Sequence, residues 1–244
     1  MNVIIHETKE EMGRAAAEHA SRIIRASIDA RGGAVIILAT GTSQFETLSA
    51  LTGNPSVDWS SVVMFHLDEY IGLPQQHPAS LRHYLLDRFV NRVGSLKQVH
   101  FIRGESEDPA AECGRMGDII REHSVDMALV GFGENGHLAF NDPPADFDTQ
   151  EPFIAVELDD KCRRQQLGEG WFKSLEDVPR HAISMSIQQI MKSKTIIASV
   201  PDARKAEAVK NVLQGDVTPE CPSSILQTHS DCTVYLDREA ASLL

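Results

Sequence analysis

The residues whose types and spacing are best suited to catalysis or ligand binding lie in the stretch GFGENGHLAFNDPP, residues 131–144, directly after an apolar run. Its glycines match the G-x-G-x-x-G spacing of dinucleotide sites, but such a site needs a helix immediately after the glycines. Here Pro143 and Pro144 follow instead, and proline cannot continue a helix. We therefore expect no nucleotide cofactor, and interpret the glycines as small-residue turns that bring the backbone close to a small ligand.

Acid–base chemistry is the function that this stretch favours. His137 is the one nearby side chain that titrates near neutrality without help, and Asp142 is placed to orient it and hold its charge. Asn135 is expected to project into the same space, and Gly133 to let the backbone approach the ligand. We predict a general acid or base here, although a lone histidine is often structural.

A second candidate base follows another apolar run, VVMFHLDEY. Asp68 and Glu69 stand at the end of this predicted strand. A carboxylate in such a place is partly desolvated, which raises its pKa toward the range where it works as a base at neutral pH. The alternative is that strand-end acids cap loops or pair with lysine or arginine.

An anion site is predicted at ATGTSQ, residues 39–44, where a strand leads into a helix. Small residues let backbone N–H groups face outward, and the positive helix start suits phosphate. The candidate ligands are Thr40, Gly41, Thr42 and Ser43. The stretch lacks the G-x-x-x-x-G-K-[ST] pattern of an ATPase loop, and an ordinary helix N-cap is the competing interpretation.

These residues require a scaffold of alternating strands and helices. Apolar runs of strand length lie at 2–5, 34–40, 61–68, 99–102, 126–132, 153–158 and 195–200. Helical patterns lie at 8–31, 78–90, 109–123 and 203–215. Near-continuous apolar strands between helices indicate a parallel sheet covered on both faces, so we predict one doubly wound α/β domain over residues 1–244. Ligands of such sheets bind beyond the carboxyl ends of the strands, where the candidate residues follow.

The segment 141–185 does not fit this alternation. It is too long and too rich in proline for a simple crossover between strands. We predict that it contains a lid over the site.

Composition narrows the class of ligand. The chain has 244 residues, 42% of them hydrophobic, and a net charge of -12, which repels nucleic acid and anionic membranes. No apolar run suits a signal peptide or a membrane span, and the four cysteines show no paired spacing. We expect a cytoplasmic protein with a small-molecule partner, and both a monomer and a homo-oligomer are compatible with these patterns.

Five stretches together resemble the glucosamine-6-phosphate deaminase (isomerase) family, in order and from end to end. They are LATGTS, FHLDEYIGLP, GFGENGHLAFNDPP, RKAEAVKNVLQG and HSDCTVYLDREAASLL. The wider group includes 6-phosphogluconolactonases. The resemblance implies a Rossmann-like three-layer αβα sandwich. It also implies conversion of glucosamine 6-phosphate to fructose 6-phosphate and ammonia, with no metal and no organic cofactor.

The resemblance also implies roles for single residues. Asp68 matches the base that takes the C2 proton and returns it at C1, and His137 matches the histidine that assists ring opening. Asp142 stands where the family commonly has glutamate, and Asn135 where it has either aspartate or asparagine. Lys205 matches a phosphate-binding lysine, and the stretch from Thr40 to Ser43 matches the phosphate loop.

The chain departs from the family pattern at the phosphate site. Gly170 stands where the family usually supplies an arginine just before an aromatic residue, here Trp171. Arg163 and Arg164 are the candidates to replace that arginine. Asp142 is also one methylene shorter than the usual glutamate, which could draw it away from His137.

Three alternatives to a glucosamine-6-phosphate deaminase remain open at this point. They are a galactosamine-6-phosphate deaminase, a lactonase with His137 as the base toward water, and a non-catalytic sugar-phosphate sensor. The continuation DEYIGL favours the deaminase, because lactonases of the group tend to have Asp-Glu-Arg there. Asp68 and His137 are both present, which speaks against a sensor.

Overall fold

Ten strands form two sheets in the computed structural model, which describes residues 1–244. In chain order they are β1 (Asn2–His6), β2 (Ala34–Leu38), β3 (Val62–His66), β4 (Asp68–Tyr70), β5 (Gln98–His100), β6 (Met127–Val130), β7 (Phe153–Glu157), β8 (His181–Met185), β9 (Thr195–Val200) and β10 (Cys232–Asp237). The larger sheet has the order β1-β10-β9-β6-β2-β3-β5, and all its pairings are parallel. This confirms the predicted Rossmann-like sandwich with a mainly parallel sheet.

Helices cover both faces of the larger sheet. The eight helices of the chain are α1 (Lys9–Arg31), α2 (Phe45–Thr52), α3 (Leu81–Leu85), α4 (Asn91–Val93), α5 (Pro109–Arg121), α6 (Asp160–Gly168), α7 (Ile187–Met191) and α8 (Ala206–Gln214). A wider π-helical turn, Leu86–Val90, joins α3 to α4. Short 3-10 turns lie at Thr42–Gln44, Trp59–Ser61, Ala203–Lys205 and Pro222–Thr228. None of the helices is long and apolar enough to cross a membrane.

The apolar character of the strands follows from this two-sided covering. In β2, Ile36 and Leu38 pack with α1 and α2 in one buried cluster, whereas Ile37 packs in the cluster on the opposite face. Side chains alternate between the faces of a strand, so a strand covered on both faces must be apolar at every position. This explains the uninterrupted run AVIIL.

Helix α1 is delimited by the signals that its sequence predicts. Thr8 lies before the helix, and its side-chain oxygen accepts a hydrogen bond from the backbone N–H of Glu11 at 3.2 Å. Gly32 ends the helix with φ of 75°, a left-handed conformation that glycine adopts at little cost. The predicted helix over 8–31 is therefore confirmed to within one residue.

The second sheet corrects one sequence prediction. The run 153–158 was expected among the strands of the parallel sheet, but β7 belongs to a separate antiparallel sheet with the order β4-β8-β7. The strands β4, β8 and β10 were not predicted as separate strands. β7 is half exposed, with the burial pattern of a strand covered on one face only, and a short apolar run does not reveal which sheet it joins.

The small sheet lies where it can support a ligand site. Its strand β4 begins at Asp68, and the single residue Leu67 separates it from β3. Segment 141–185 contributes β7, α6 and β8, and so contains regular structure instead of a long loop. A third buried cluster, which includes Tyr70, Phe140 and Phe172, packs this segment against β4.

Candidate active site

A cleft opens at the carboxyl ends of the parallel strands, as the topology predicts. Segments that follow β2, β3, β6 and β9 all line it. Of the ten residues predicted from the sequence, seven line this cleft: Thr40, Gly41, Thr42, Ser43, Asp68, His137 and Lys205. Gly133, Asn135 and Asp142 lie outside the lining and contact His137.

Asp68 begins β4 and is the buried carboxylate of the cleft. The residue is 7% exposed, and its Oδ1 atom has no hydrogen-bond partner in the protein. Burial, reinforced by the neighbouring charge of Glu69, raises the pKa of Asp68 to about 8. An unpartnered carboxylate with such a pKa can accept a proton from a ligand in the cleft.

Glu69 is adjacent in sequence but serves the local fold. Its carboxylate accepts four hydrogen bonds, from the backbone N–H groups of Tyr70, Leu81 and Arg82 and from the hydroxyl of Ser80, at 2.8 to 3.0 Å. These bonds fix the start of α3 against the end of the sheet. Glu69 therefore has no free lone pair for a ligand, and the two acids of the motif divide their roles.

Replacing Glu69 with glutamine is expected to lower the free energy of unfolding by about 1–3 kcal/mol, because one oxygen becomes an NH₂ group that cannot accept its hydrogen bonds. Urea unfolding at neutral pH measures this, with an unchanged m value showing that only stability has changed. The matched control is Glu107→Gln, since Glu107 is exposed. Equal stability of the two variants would contradict the role given to Glu69.

His137 lies on the turn that follows β6, and a glycine makes room for it. A Cβ atom added at Gly133 would lie 2.2 to 2.4 Å from three atoms of the imidazole ring. Real Cβ contacts are never this short, so a glycine is required for the ring to occupy its position. The glycine spacing of the motif thus serves the histidine, and no helix follows it.

Asp142 reaches the histidine despite its short side chain. Its Oδ1 lies 3.2 Å from Nδ1 of His137, within ion-pair distance but without the alignment of a hydrogen bond. Burial opposes the charge of Asp142, but contact with His137 and hydrogen bonds from Asn135 and the backbone N–H of Asp159 hold its pKa below the ordinary value. The carboxylate therefore stays charged beside the imidazole ring.

Asn135 connects this pair to a further acid that sequence reasoning missed. Its side-chain amide donates to Asp142 at 3.0 Å and to Asp159 at 3.1 Å, while its oxygen accepts from the backbone N–H of His137. Asp159 also caps α6, where it accepts from the N–H of Cys162. These hydrogen bonds, from Asp142 through Asn135 to Asp159, fix the position of Asp142 relative to α6.

The predicted anion loop has the geometry of a helix entry. Gly41 has φ of 90°, and the 3-10 turn Thr42–Gln44 runs directly into α2. Gln44 is buried and donates to the backbone oxygen of Val130 at 3.0 Å, which ties the loop to β6. Free N–H groups at such a helix start attract anions.

Lys205 supplies a buried cation beside the loop. The residue is 3% exposed, and its ammonium makes no hydrogen bond or salt bridge within the protein. Burial lowers the pKa of Lys205 to about 8, an effect that neighbouring acids, first Glu169, oppose. A buried charge without a partner is costly, so an anionic ligand in the cleft would relieve it.

Several cleft residues were missed by sequence reasoning. They are Gln165, Gln166, Glu169, Asp202 and Arg204. The first three lie on or just after α6, where positions i and i+4 share one face, a spacing that could have indicated them. Arg204 directly precedes Lys205, so a pair of cations at a strand end was the available signal.

The arginines expected to serve the phosphate do not reach the cleft. Arg163 is buried, and its guanidinium donates to the backbone oxygens of Leu175 and Val178. Arg164 is exposed on the surface of α6. Neither lines the cleft, which corrects that expectation.

One set of side chains has the donor types of a metal site. A ring nitrogen of His137, a carboxylate oxygen of Asp142 and the sulfur of Cys162 lie within 4.8 Å of one another. Such a set suits Zn²⁺. That the chain needs neither a metal nor an organic cofactor stays a prediction.

Comparisons with known proteins agree with this geometry. Residues 7–235 match the family described as glucosamine-6-phosphate isomerases/6-phosphogluconolactonase. A glucosamine-6-phosphate deaminase of Thermoanaerobacter sp. (strain X514) is 36% identical, with 100% of this chain and 95% of the relative covered. One from Listeria welshimeri is 41% identical over 85% of this chain and 86% of the relative.

Solved structures show the same likeness. The structure of a monomeric glucosamine-6-phosphate deaminase superimposes with a TM-score of 0.91 at 32% identity, covering 100% of both chains. A 6-phosphogluconolactonase from Shewanella baltica gives a TM-score of 0.81 at 17% identity over 97% of each chain, which shows the fold alone. The resemblance identified from the sequence motifs is confirmed, and the chain belongs to the glucosamine-6-phosphate isomerase/6-phosphogluconolactonase family.

Proposed function

We propose that this protein converts glucosamine 6-phosphate and water to fructose 6-phosphate and ammonia. The observation that carries the proposal is the buried, unpartnered carboxylate of Asp68 in the same cleft as His137 and Lys205. An isomerisation needs a base over C2, a proton donor at the ring oxygen and a fixed phosphate for orientation. The relatives' names, glucosamine-6-phosphate deaminase, support the choice of substrate.

The proposed reaction begins with binding and ring opening. The phosphate binds at the loop Thr40–Ser43 and at the ammonium of Lys205, which holds the sugar in one orientation. His137, which lies beside Asp142, donates a proton to the ring oxygen as the C1–O5 bond breaks, and its neutral imidazole then takes the proton of the C1 hydroxyl. The open-chain amino aldehyde then has its C2–H bond next to Asp68.

Asp68 performs the isomerisation in this proposal. Its carboxylate takes the C2 proton, His137 returns the proton it holds to the C1 oxygen, and an enolamine forms. Asp68 returns the proton to C1, which gives an imine at C2. Water adds to that imine carbon and ammonia leaves, so that the ketose phosphate remains.

Two further expectations belong to the same proposal. We propose that segment 141–185 acts as a lid within a single domain, because α6 places Gln165 and Gln166 in the cleft wall. We also propose a cytoplasmic location. Charged sugar phosphates are retained inside cells, and all four cysteines are free, as in a reducing compartment.

The pH dependence of the reaction is expected to follow Asp68 and Lys205. The base works only when ionised, so kcat should rise as the pH approaches the Asp68 pKa of about 8. Lys205 has a pKa of about 8 in the empty site, and its charge loss at higher pH should raise KM. A profile of kcat/KM from pH 5 to 10 should therefore be bell-shaped with its maximum near 8.

Separate pH profiles of kcat and KM distinguish the ionisation of Asp68 and Lys205 from the ionisation of the substrate phosphate. A sugar phosphate loses its second proton near pH 6. A kcat that is constant from pH 6 to 9 would contradict the assignment of Asp68 as the base.

Substrate panels test the proposal against its alternatives. Ammonia release is measured with glucosamine 6-phosphate and with galactosamine 6-phosphate, and acid release with 6-phosphogluconolactone. We expect turnover with glucosamine 6-phosphate and at least tenfold lower kcat/KM with the other two, about 1.4 kcal/mol of discrimination. Turnover of the lactone alone, or of none of the three by folded protein, would contradict the proposal.

A further inference from the structure

The cleft contains a second cation that the family pattern does not indicate. Arg204 lines the cleft, and its Nη2 donates to the hydroxyl oxygen of Thr42 in the phosphate loop at 3.0 Å. The side chain is 35% exposed, so part of the guanidinium faces the open cleft. A guanidinium has five N–H donors in a planar fork, and the bond to Thr42 occupies only one of them.

The nearest family equivalent of such a group is absent. Gly170 stands where the arginine was expected, and it has no side chain. Arg204 lies on the 3-10 turn Ala203–Lys205 after β9, and it is the one arginine that lines the cleft.

A buried acid shares the cleft with these cations. The carboxylate of Glu169 is 4% exposed, and its Oε1 lies 3.7 Å from Nη2 of Arg204. Its Oε2 would lie 3.9 Å from a Cβ atom at Gly41, so the acid stands directly over the start of the loop. Gln165 and Trp171 donate hydrogen bonds to this carboxylate at 3.1 and 3.3 Å, which hold it there.

A phosphate cannot bind the loop while the Glu169 carboxylate stays in this position. A phosphate on the loop would lie within a few ångström of the Glu169 carboxylate, and like charges at that distance repel strongly in a buried site. In the structure the same carboxylate lies within ion-pair distance of Arg204. The Glu169 carboxylate thus lies near the position that a bound phosphate would take.

We propose that Arg204 is the guanidinium that binds the substrate phosphate, and that the Glu169 carboxylate moves away from Arg204 when the phosphate binds. The inference rests on the proposed function for the identity of the phosphorylated ligand. Displacing Glu169 costs free energy that contacts to the sugar must supply. The pair therefore makes the cleft select a whole sugar phosphate over free phosphate.

Inorganic phosphate is the direct probe of this exchange. Its dissociation constant is measured by calorimetry and as competitive inhibition. Arg204→Ala is expected to weaken phosphate binding by about 10- to 100-fold, since it removes charge-assisted hydrogen bonds. Glu169→Gln is expected to strengthen it by about tenfold, since it removes a fixed negative charge near the anion. Arg204→Lys keeps the charge and should recover part of the affinity.

Matched variants separate these effects from general changes of charge. Arg238→Ala removes an exposed arginine whose partner is Glu7, and it should leave phosphate binding unchanged. Two further acids lie near Arg204, Glu134 at 3.5 Å and Asp202 at 3.9 Å. Glu134 does not line the cleft, so Glu134→Gln should have a smaller effect than Glu169→Gln. Thermal unfolding of each variant shows that it is folded.

Steady-state kinetics with glucosamine 6-phosphate give a second readout. Arg204→Ala should raise KM by about 10- to 100-fold with kcat changed less than about threefold, because the lost contact holds the phosphate equally in ground and transition states. An unchanged phosphate affinity and KM in folded Arg204→Ala would overturn the inference. So would equal or weaker phosphate binding in Glu169→Gln.

Failure of the proposed function has a different signature. If the wild type binds phosphate and the Arg204 and Glu169 variants shift that affinity in opposite directions, the inference holds even when no ammonia is released. If ammonia is released while these variants match the wild type in both readouts, the proposed function stands and the inference is wrong.

Discussion

Asp68→Asn is expected to lower kcat for ammonia release by about 10²- to 10⁴-fold, the usual contribution of a positioned general base. Asparagine has nearly the same shape as aspartate but cannot accept the C2 proton. KM should change little, because the phosphate contacts at Lys205 and the loop remain. The measurement is steady-state ammonia release from glucosamine 6-phosphate at pH 8, with contaminating host enzyme excluded by an identically purified blank.

The stability of the same variant provides its control. Burial raises the folded-state pKa of Asp68 from 3.8 to about 8, so between these values the folded protein binds the proton more tightly than the unfolded chain. Stability from this group is therefore full below pH 4 and is lost as the pH rises toward 8. Asparagine stays neutral, and Asp68→Asn should be at least as stable as the wild type at pH 8.

These two measurements together decide the role of Asp68. An inactive variant with undiminished stability supports a catalytic carboxylate. A variant that keeps more than a tenth of the wild-type kcat would contradict it, since no other unpartnered buried carboxylate lines the cleft.

Gly133→Ala is expected to lower kcat by about 10²-fold or more, because it displaces His137, the proposed general acid. The new methyl carbon would lie 2.2 to 2.4 Å from the ring of His137, so the ring must move. A displacement of 1 Å in a catalytic group is sufficient for a loss of this size. Ammonia release and a crystal structure of the variant check the rate and the ring position.

Gly114→Ala is the matched control for this substitution. Gly114 lies exposed in α5, and an added Cβ there meets nothing within 4 Å. This control should keep full activity and gain about 0.5–1 kcal/mol in stability, since alanine is the better helix former. Full activity in Gly133→Ala would contradict the position of His137 in the reaction.

The sequence was sufficient to predict the residues that stand directly at strand ends. Asp68 and the loop Thr40–Ser43 each follow an apolar run, and parallel topology brings such positions to one edge of the sheet. The capping signals of α1 were equally local, so its limits were predicted to within one residue. Features that depend on neighbouring residues in the chain can be predicted in this way.

The remaining features depend on residues that are distant in sequence. Asp68 and Glu69 are adjacent acids that the sequence alone does not distinguish. Only the position of α3 shows that the Glu69 carboxylate accepts backbone hydrogen bonds and is not available to a ligand. β7 joins an antiparallel sheet because its partner is β8, which periodicity cannot show. Glu169 and Arg204 lie 3.7 Å apart although 35 positions separate them in the sequence. The sequence therefore did not indicate this pair, and Arg163 was the candidate in its place.

The most direct measurement is the amount of fructose 6-phosphate and of ammonia formed from glucosamine 6-phosphate by the wild type and by Asp68→Asn. We predict that the wild type forms both products in equal amounts and that the variant forms neither at a comparable rate. Ammonia without the ketose phosphate, or equal rates for the two proteins, would show that the cleft does not perform an isomerisation with Asp68 as its base.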